Sequence, residues 1–426
     1  MTAFPSLCVR RRGPIFVRLE SFGATTYSPA TDRFYALDPL ALEALEKGHR
    51  HRGQGAKGRP RAPGLADLDS LVATSGHETN GPVMFGRPDC IDGPGGQPSM
   101  VMPAPPEPLL VNWLLTTECC YDCVYCCARD LRTNRGVSPD RHLVEAIAQR
   151  IRRSSCLAVV LTGGEPLLSP HLRRAIALLA GRKGVVLDTS GDGPLDAVIP
   201  SLLRANAHVR VSLDTVHPLI NNQLRRPARN AGRDAQTAAL HAIDTCTRAG
   251  IPVSVQTVIS NRNKDPESLR RLLDLLCRQN VQKWNLYLMI NAGAARDAKN
   301  GIIPDRRHAL SAARQVQRLS GELRASGQAA PIVRIIDSQR PDSVILVSPE
   351  GVAFTESPDG HGKVRLGDVL NGYDAFTLAN RSSHAWRYFG WIPGPGASIA
   401  SIPLTALRGG RSIADRKRDQ ASPDRA

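Results

Sequence analysis

The sequence contains no run of about 18 uncharged apolar residues, which is the length that a membrane-spanning helix needs. The first residues also lack the order of a signal peptide, because Arg10, Arg11 and Arg12 follow the apolar stretch instead of preceding it. These absences predict a protein without a membrane segment, and we expect it to be cytoplasmic.

Paired cysteines are missing from most of the chain. The ten cysteines include no second C-x2-C pair away from residues 119–127, no H-x3-H pair accompanies them, and none follows Cys277. Structural zinc sites usually take two separated pairs of ligands, so these absences disfavour zinc. Cysteines clustered in one loop are typical of metal ligands and free thiols in a reducing cytoplasm, and not of a disulfide framework.

Acidic residues are missing from residues 47–64, which carry six Lys and Arg. Together with residues 10–12 and 408–426, this segment holds most of the formal net charge of +16. Segments so rich in Gly, Pro and Arg are predicted to be disordered and solubilising. We therefore expect no nucleic-acid partner, with RNA or an acidic peptide as the alternative.

What the chain does contain is a dense cysteine run in which Cys119, Cys123 and Cys126 stand at C-x3-C-x2-C spacing. That spacing fits three thiolates onto three corners of one cuboidal iron–sulfur cluster. Four thiolates normally complete such a site, so three leave one iron open to a small chelating molecule. The alternatives are a structural zinc site or plain packing, and Cys120 and Cys127 are predicted to be spare thiols.

Thirty-seven residues after Cys126 begins a turn of sequence Gly163-Gly164-Glu165-Pro166, at the end of an apolar run. With the cysteine run, this turn resembles the radical S-adenosylmethionine (SAM) superfamily. The resemblance implies one 4Fe–4S cluster on the three cysteines, with SAM chelated to the open iron. It further implies that the turn holds the SAM amino group and that Tyr125 leans on the adenine. An electron donor such as ferredoxin or flavodoxin would support cleavage of SAM to a 5'-deoxyadenosyl radical.

From residue 109 the chain alternates apolar runs with helical patterns, as a βα-repeat protein does. A helix is predicted to begin at residues 138–140, with Ser138 as its N-cap. The 426 residues suffice for a barrel-sized core beside a smaller domain. The predicted fold class is α/β, a partial (β/α)6 TIM-like barrel at residues 109–330. Its six strands are predicted at residues 109–116, 157–162, 185–188, 209–213, 253–259 and 284–290.

Barrel enzymes place their chemistry at the carboxyl ends of strands, and the remaining motifs fall there. Ser190 lies in a turn after the third strand, and Ser212 and Asp214 end the fourth in a pattern that resembles the superfamily's S-I/L-D signature. Arg225 matches an arginine that commonly follows this signature. The resemblance implies that these four residues contact SAM. The alternatives are a turn cap for Asp214 and a surface position for Arg225, while Gln256 is a weaker pocket candidate.

The C-terminal region carries a second resemblance. Residues 344–352 are predicted to form a β-hairpin that turns at Glu350-Gly351, which resembles the SPASM or twitch extension of peptide-modifying maturases. That extension normally binds an auxiliary cluster, but Thr355 or a neighbour stands where its cysteine is expected. We predict a SPASM/twitch-like extension at residues 331–400 without an auxiliary cluster, followed by a basic, disordered tail at residues 401–426.

The N-terminal region lies outside the predicted barrel. Strands are predicted at residues 15–19, 24–27 and 33–36, with helices beginning at residue 38 and at residues 65–73. This order resembles the small winged-helix-like element that binds leader peptides in ribosomal peptide biosynthesis, and the alternative is an unrelated β-rich cap. The predicted domain covers residues 1–78, and a Gly/Pro-rich linker covers residues 79–108.

The sequence therefore predicts a cytoplasmic radical SAM enzyme that modifies a ribosomally made peptide by hydrogen abstraction, with the peptide recognised through its leader. Two alternatives remain open. One keeps the chemistry and replaces the peptide with a small metabolite or RNA. The other is an iron–sulfur sensor without turnover, which would need the cysteines but neither the glycine turn nor the S-L-D pattern.

Overall fold

The computed structural model of the chain describes residues 9–12, 15–20, 23–37, 42, 83–86, 109–131, 138–228, 234–291, 293–296, 301–336, 345–356, 363–371 and 400–403. The strands of this part are β1 Val9–Arg12, β2 Ile15–Glu20, β3 Gly23–Ser28, β4 Arg33–Leu37, β5 Val83–Gly86, β6 Leu110–Leu114, β7 Tyr121–Cys123, β8 Ala158–Thr162, β9 Gly184–Thr189, β10 His208–Ser212, β11 Arg225–Pro227, β12 Val253–Ile259, β13 Lys283–Leu288, β14 Ile332–Ile336, β15 Leu346–Val347, β16 Val352–Glu356, β17 Lys363–Asp368 and β18 Ala400–Pro403. The α-helices are α1 Arg141–Arg153, α2 Leu172–Leu179, α3 Ile199–Ala205, α4 Pro218–Leu224, α5 Ala235–Arg248, α6 Pro266–Arg278 and α7 Arg306–Ala325.

A ten-stranded mixed sheet forms the centre of the molecule, in the order β14-β13-β12-β10-β9-β8-β6-β15-β16-β17. Neighbouring strands from β14 to β15 run parallel. The last three strands are antiparallel to one another. The predicted α/β fold is therefore confirmed, and each of the six predicted barrel strands is present with its ends displaced by at most two residues.

A seventh parallel strand, β14, pairs with β13 beyond the six that were predicted. It lies at Ile332–Ile336, just past the boundary predicted for the barrel. Only alternate residues of β14 are buried, namely Val333 and Ile335, and Arg334 interrupts the apolar run on the opposite face of the strand. The helix-facing half of the strand nevertheless joins the main core.

Helices cover one face of the parallel sheet. Strand residues such as Val159, Leu187, Val211 and Val255 pack with the apolar sides of the helices in one continuous core. Aspartates begin α1, α5, α6 and α7 by accepting backbone N–H bonds in the first turn. The N-cap of α1 is Asp140 and not the predicted Ser138, whose hydroxyl instead lies 2.9 Å from the Thr116 hydroxyl.

The N-terminal strands form a separate sheet in the order β1-β2-β3-β4-β5-β18. The three strands predicted there are present as β2, β3 and β4. β1 was not predicted, and β5 lies inside the predicted linker. The two predicted helices, at residues 38–40 and 65–73, lie outside the described residues, as do most of the linker and residues 404–426.

The turn between β3 and β4 reaches the inner face of the barrel at its amino end. Tyr27 lies against Gly184, where an added Cβ would come within 2.3 Å of the tyrosine ring. The His208 ring, which lies at the start of β10, is 2.9 Å from the Pro29 carbonyl oxygen and 2.9 Å from the Ser254 hydroxyl. Burial lowers the pKa of His208 to about 4, so the ring is neutral at physiological pH. The turn therefore closes this end of the barrel.

Asp32 is the charged centre of that contact. Its carboxylate accepts two hydrogen bonds of 2.8 Å from Arg210, one of 3.2 Å from Lys283 and one of 3.0 Å from the Tyr27 hydroxyl. Burial alone would raise the pKa of Asp32, but Arg210 and Lys283 hold it well below its usual value. The N-terminal sheet and the barrel are thus joined by a buried, fully partnered carboxylate.

Within the described part of the chain, none of the helices has the length and apolar character needed to cross a membrane.

The predicted C-terminal hairpin is present, as β15 and β16 with a turn that ends at Gly351. β17 extends it to three strands.

We expect Asp32→Asn to destabilise the fold by about 3–5 kcal/mol, because it leaves Lys283 buried without its counter-charge and Arg210 with only the longer contact to Asp188. Asparagine also tolerates the left-handed backbone of this position, where φ is 50°, so the change isolates the charge. Urea unfolding measures the loss. The control is Asp244→Asn, which removes an exposed carboxylate from the pair with Arg248 and should cost under about 1 kcal/mol. Equal effects of the two changes would contradict the assigned role of Asp32.

Candidate functional site

The cysteine run follows β6 at the carboxyl end of the barrel, and a second segment clamps it. β7, which contains Cys123, pairs antiparallel with β11, which begins at Arg225. Backbone bonds from Val124 to Leu224 and from Ala228 to Cys120 extend the clamp on both sides. The segment after the S-L-D pattern therefore holds the cysteine loop directly.

The three predicted cluster ligands share one environment, and their neighbours do not. Cys119, Cys123 and Cys126 are partly exposed, whereas Cys120 is buried and Cys127 is exposed. The Cys120 thiol donates a hydrogen bond of 3.5 Å to a backbone carbonyl oxygen. The loop therefore keeps three thiols accessible to a common ligand, and Cys120 is turned to a different partner.

The electrostatics of the loop fit metal-bound thiolates. Burial raises the pKa of the Cys123 thiol to about 12, the Arg225 guanidinium acts in the opposite direction, and Cys126 and Cys119 add to the increase. A free thiolate at Cys123 is therefore unfavourable, whereas metal coordination deprotonates a thiol outright.

Among the described residues, no three His, Cys, Asp or Glu side chains converge on one point that could hold an ion. In an iron–sulfur cluster each thiolate takes a different iron, so the three cysteines need not converge on one point.

The glycine turn lies directly on the chain that enters the cysteine loop. Gly164 N donates to the Thr116 carbonyl oxygen at 2.8 Å, and Glu165 N donates to the Glu118 carbonyl oxygen at 2.6 Å. A Cβ on Gly164 would lie 1.9 Å from the Glu118 oxygen. Gly163 has a φ of 151° and equally little room against Thr116. Glycine is required here because two backbones touch.

Glu165 connects this turn to the predicted residue Ser190. One carboxylate oxygen accepts hydrogen bonds from Leu167 N at 3.1 Å and the Thr189 hydroxyl at 2.6 Å. The other accepts from Ser190 N at 2.7 Å and from its hydroxyl at 2.5 Å. Burial raises the pKa of Glu165, and the bonds from Ser190 and Thr189 oppose that increase. Pro166 begins the single helical turn that Glu165 caps.

Tyr125, Asp214 and Arg225, which were predicted separately to contact SAM, form one network of contacts with one another. Arg225 Nε donates to Asp214 at 2.8 Å, and the guanidinium lies 5.6 Å from the centre of the Tyr125 ring. The Tyr125 hydroxyl donates to the same carboxylate oxygen. The other oxygen of Asp214 accepts from Val258 N at 2.9 Å. Arg225 is buried, so the alternative of a surface arginine is wrong.

Two asparagines that were not among the predicted site residues fix the position of Asp214. Asn263 donates to the Asp214 carbonyl oxygen at 2.8 Å and to the Val258 carbonyl oxygen at 3.0 Å. The Asn221 amide oxygen accepts from Asp214 N at 3.3 Å. Asn263 lies four residues after Ile259, at the end of the sequence T-V-I-S-N-R-N that begins in β12, and this asparagine-rich end of the strand is the signal that could have identified it; Asn221 has no comparable signal.

A further contact on the cysteine loop was not predicted. Ala294 N donates to the Cys126 carbonyl oxygen at 3.0 Å, and Gly293 has a φ of 54° and no room for a Cβ beside that oxygen. This short segment follows β13, so Cys126 is supported from the far side of the barrel.

Ser212 lies at the end of β10, opposite Gln256 in the register.

The model of the radical SAM superfamily matches residues 113–276 of this chain. That interval contains the three cysteines, the glycine turn and the Asp214 network. The chain carries a radical SAM domain. Proteins of this family use a 4Fe–4S cluster and SAM, which are therefore the cofactors of the domain. The three partly exposed thiols and the glycine turn beside them fit both groups.

Two curated relatives act on nucleotides according to their names. GTP 3',8-cyclase 1 of Pseudomonas aeruginosa is 28% identical over 155 residues, which is 35% of this chain and 46% of the cyclase. This chain therefore spans about half the length of that relative. The S-adenosylmethionine-dependent nucleotide dehydratase of Psychrobacter lutiphocae is 24% identical over 60% of this chain and 84% of its own length.

A solved structure covers more of the chain. SuiB of Streptococcus suis, bound to the precursor peptide SuiA, superposes with a TM-score of 0.56 over 89% of this chain and 90% of its own. Its sequence identity is 12%, so the similarity is one of fold. The similarity supports a TIM-like barrel fold for this domain, as in the radical SAM enzymes among its structural neighbours.

We expect Gly164→Ala to prevent assembly of the cluster, because the new Cβ would meet the Glu118 backbone at 1.9 Å and displace the chain that enters the cysteine loop. Iron and sulfide content after anaerobic reconstitution measures the effect. The control is Gly321→Ala in α7, where a Cβ meets nothing within 4 Å and alanine favours the helix. Full iron content in Gly164→Ala would contradict the proposed dependence of the loop on this turn.

Proposed function

We propose that the protein is a radical SAM enzyme that holds a 4Fe–4S cluster on Cys119, Cys123 and Cys126 and modifies a ribosomally made peptide by hydrogen abstraction. The observation that carries the proposal is the pair of backbone bonds between the glycine turn and residues 116–118. Through these bonds, the turn that resembles a SAM-amine site and the loop that offers three thiols form one rigid unit.

The cofactors supply the electron and the 5'-deoxyadenosyl radical, and the protein residues position them. We assign the Gly163–Pro166 backbone to the SAM amino group and Ser190 and Ser212 to the polar parts of SAM. The Asp214 carboxylate accepts hydrogen bonds from Arg225, Tyr125 and Val258, so we assign Asp214 and Arg225 to hold the SAM-facing ends of β10 and β12 in place. Tyr125 offers its ring to the adenine while its hydroxyl is fixed by Asp214.

Two observations support a peptide substrate. The fold similarity to the peptide-bound SuiB extends over 89% of this chain, including residues outside the radical SAM domain. In the barrel interior, Arg210 and Lys283 are already paired with Asp32, so these two cations are not available to a phosphate chain. A nucleotide is the second candidate substrate, which the names of the two sequence relatives favour.

We further propose that residues 1–78 recognise the leader of the peptide and that residues 331–400 cover the substrate without a second cluster. β1 pairs with β2 alone among the described strands, and an exposed sheet edge can accept an added peptide strand. Thr355 lies on β16 near the position where the related extensions place a cysteine. A reducing protein such as ferredoxin or flavodoxin would supply the electron.

We expect the anaerobically reconstituted and reduced protein to convert SAM to 5'-deoxyadenosine, and Cys123→Ala to abolish the product by removing one of three cluster ligands. Chromatography of the quenched mixture measures it. The control is Cys127→Ala, which removes an exposed thiol four residues away and should retain activity. A cluster that forms but yields no 5'-deoxyadenosine, with or without substrates, would favour the sensor hypothesis.

The substrate class is tested with the same assay. Deuterated peptides encoded beside the gene, carrying their leaders, should transfer deuterium to 5'-deoxyadenosine, and removal of the leader from the peptide should abolish that transfer. Deuterated GTP serves as the comparison. Transfer from the nucleotide and not from any peptide would contradict the peptide proposal while leaving the radical chemistry intact.

A further inference from the structure

The inner face of the barrel carries a polar group that the SAM site does not use. Side chains alternate along a strand, and Leu187, Val211 and Val255 face the helices, so their neighbours face the interior. Asp188, Arg210 and Gln256 are among these interior residues. Asp188 directly precedes Thr189 and Ser190, which bind Glu165. These polar interior residues therefore begin at Asp188, which is next in the chain to the residues that contact the glycine turn.

Asp188 retains unused hydrogen-bonding capacity. Gln256 donates a hydrogen bond of 3.3 Å to one of its carboxylate oxygens, and an Arg210 nitrogen lies 3.6 Å from the same oxygen. The side chain is 27% exposed inside the barrel. Burial raises the pKa of Asp188 to about 6, because the Arg210 charge offsets that penalty only in part and Asp32 adds to it. The carboxylate is therefore partly exposed, with a pKa below neutral pH and no hydrogen bond shorter than 3.3 Å among the described residues.

The reason for this weak pairing is that Arg210 has a better partner. Its two hydrogen bonds to Asp32 are both 2.8 Å, and they form the fork that a carboxylate matches best. Lys283 also bonds to Asp32. The N-terminal turn thus takes the short hydrogen bonds of Arg210 and Lys283, and Asp188 is left with the longer contact of 3.6 Å to Arg210.

Asn285 supplies an unsatisfied acceptor beside Gln256, the residue that donates to this carboxylate. Asn285 pairs with Gln256 in the register of β12 and β13. Its neighbours Trp284 and Leu286 pack with the helices, so Asn285 lies on the other face of the sheet, in the barrel interior. Asn285 is 2% exposed, and its amide oxygen has no hydrogen-bond partner. A buried acceptor left unpaired costs about 1–3 kcal/mol. Such a group is explained when a ligand completes it.

We propose that Asp188, Gln256 and Asn285 form a substrate-binding site in the barrel interior for a cationic nitrogen group, such as the guanidinium or ammonium group of a peptide side chain. An ionised carboxylate accepts hydrogen bonds only, and the Asn285 and Gln256 amide oxygens add two further acceptors. A cation with several N–H groups satisfies all three. Arg210 is a positioning residue, held by Asp32 so that it does not neutralise Asp188.

The site rests on the proposed function because it assumes that the substrate enters the barrel from the SAM side. It adds a chemical requirement to that function, namely a positive charge on the substrate near the carbon that reacts. A nucleoside triphosphate carries the opposite charge, so the site also separates the two candidate substrate classes.

The test is isothermal titration calorimetry on the reconstituted protein with SAM bound, which requires no turnover. The probes are N-acetylarginine methylamide and its neutral analogue, N-acetylcitrulline methylamide. We expect the arginine compound to bind at least about tenfold more tightly, which is the ratio that one charge-assisted hydrogen bond provides. Asp188→Asn should reduce that ratio to near one. The control is Asp244→Asn on the exposed face of α5, which should leave it unchanged.

A second variant separates binding from folding. Asn285→Leu should weaken binding of the arginine compound several-fold and at the same time maintain or increase the resistance to urea, because it removes a buried unpaired acceptor. A purely structural asparagine would show the reverse, a loss of stability with unchanged binding. That result, equal binding of the two probes, or an unaltered ratio in Asp188→Asn would each overturn the proposal. Failure of the proposed function is a separate result, the absence of 5'-deoxyadenosine from the wild-type protein.

Discussion

The contact between two stretches of bare backbone determines the rest of the site. Gly164 and Glu165 donate to the carbonyl oxygens of Thr116 and Glu118, and there is no room for a side chain between the two chains. This contact fixes the entry to the cysteine loop relative to the carboxyl end of β8. It therefore holds the start of the cysteine loop against the glycine turn without any direct bond between a cysteine and the turn.

Buried charges follow a common rule in this molecule: a carboxylate is shared between elements that must stay together. Asp214 links β12, through Val258, to the cysteine loop through Tyr125 and Arg225. Asp32 joins the N-terminal turn to the barrel. Loss of one partner of such a buried pair costs far more than loss of a surface pair, because the remaining charge cannot be hydrated. The same rule explains why Asp188, whose contacts with Gln256 and Arg210 are longer than those of the other two carboxylates, is best placed to meet a ligand.

Sequence patterns predicted the parts of the site whose signal is local. Cys119, Cys123 and Cys126 have a diagnostic spacing, the parallel strands have continuous apolar runs, and glycine is the residue that permits backbone contact. The Asp32–Arg210 pair joins residues 178 positions apart, and no local pattern marks it. Gly293 escaped prediction for the same reason, since its partner is the Cys126 carbonyl oxygen.

The central claim is that three cysteines hold a cluster with one iron that binds SAM. The most direct test is electron paramagnetic resonance of the anaerobically reconstituted and reduced protein, recorded before and after addition of SAM. The account predicts the signal of a reduced 4Fe–4S cluster whose shape changes when SAM is added, and no such signal in Cys123→Ala. A cluster signal that does not respond to SAM, or a protein that takes up zinc in place of iron, would contradict it.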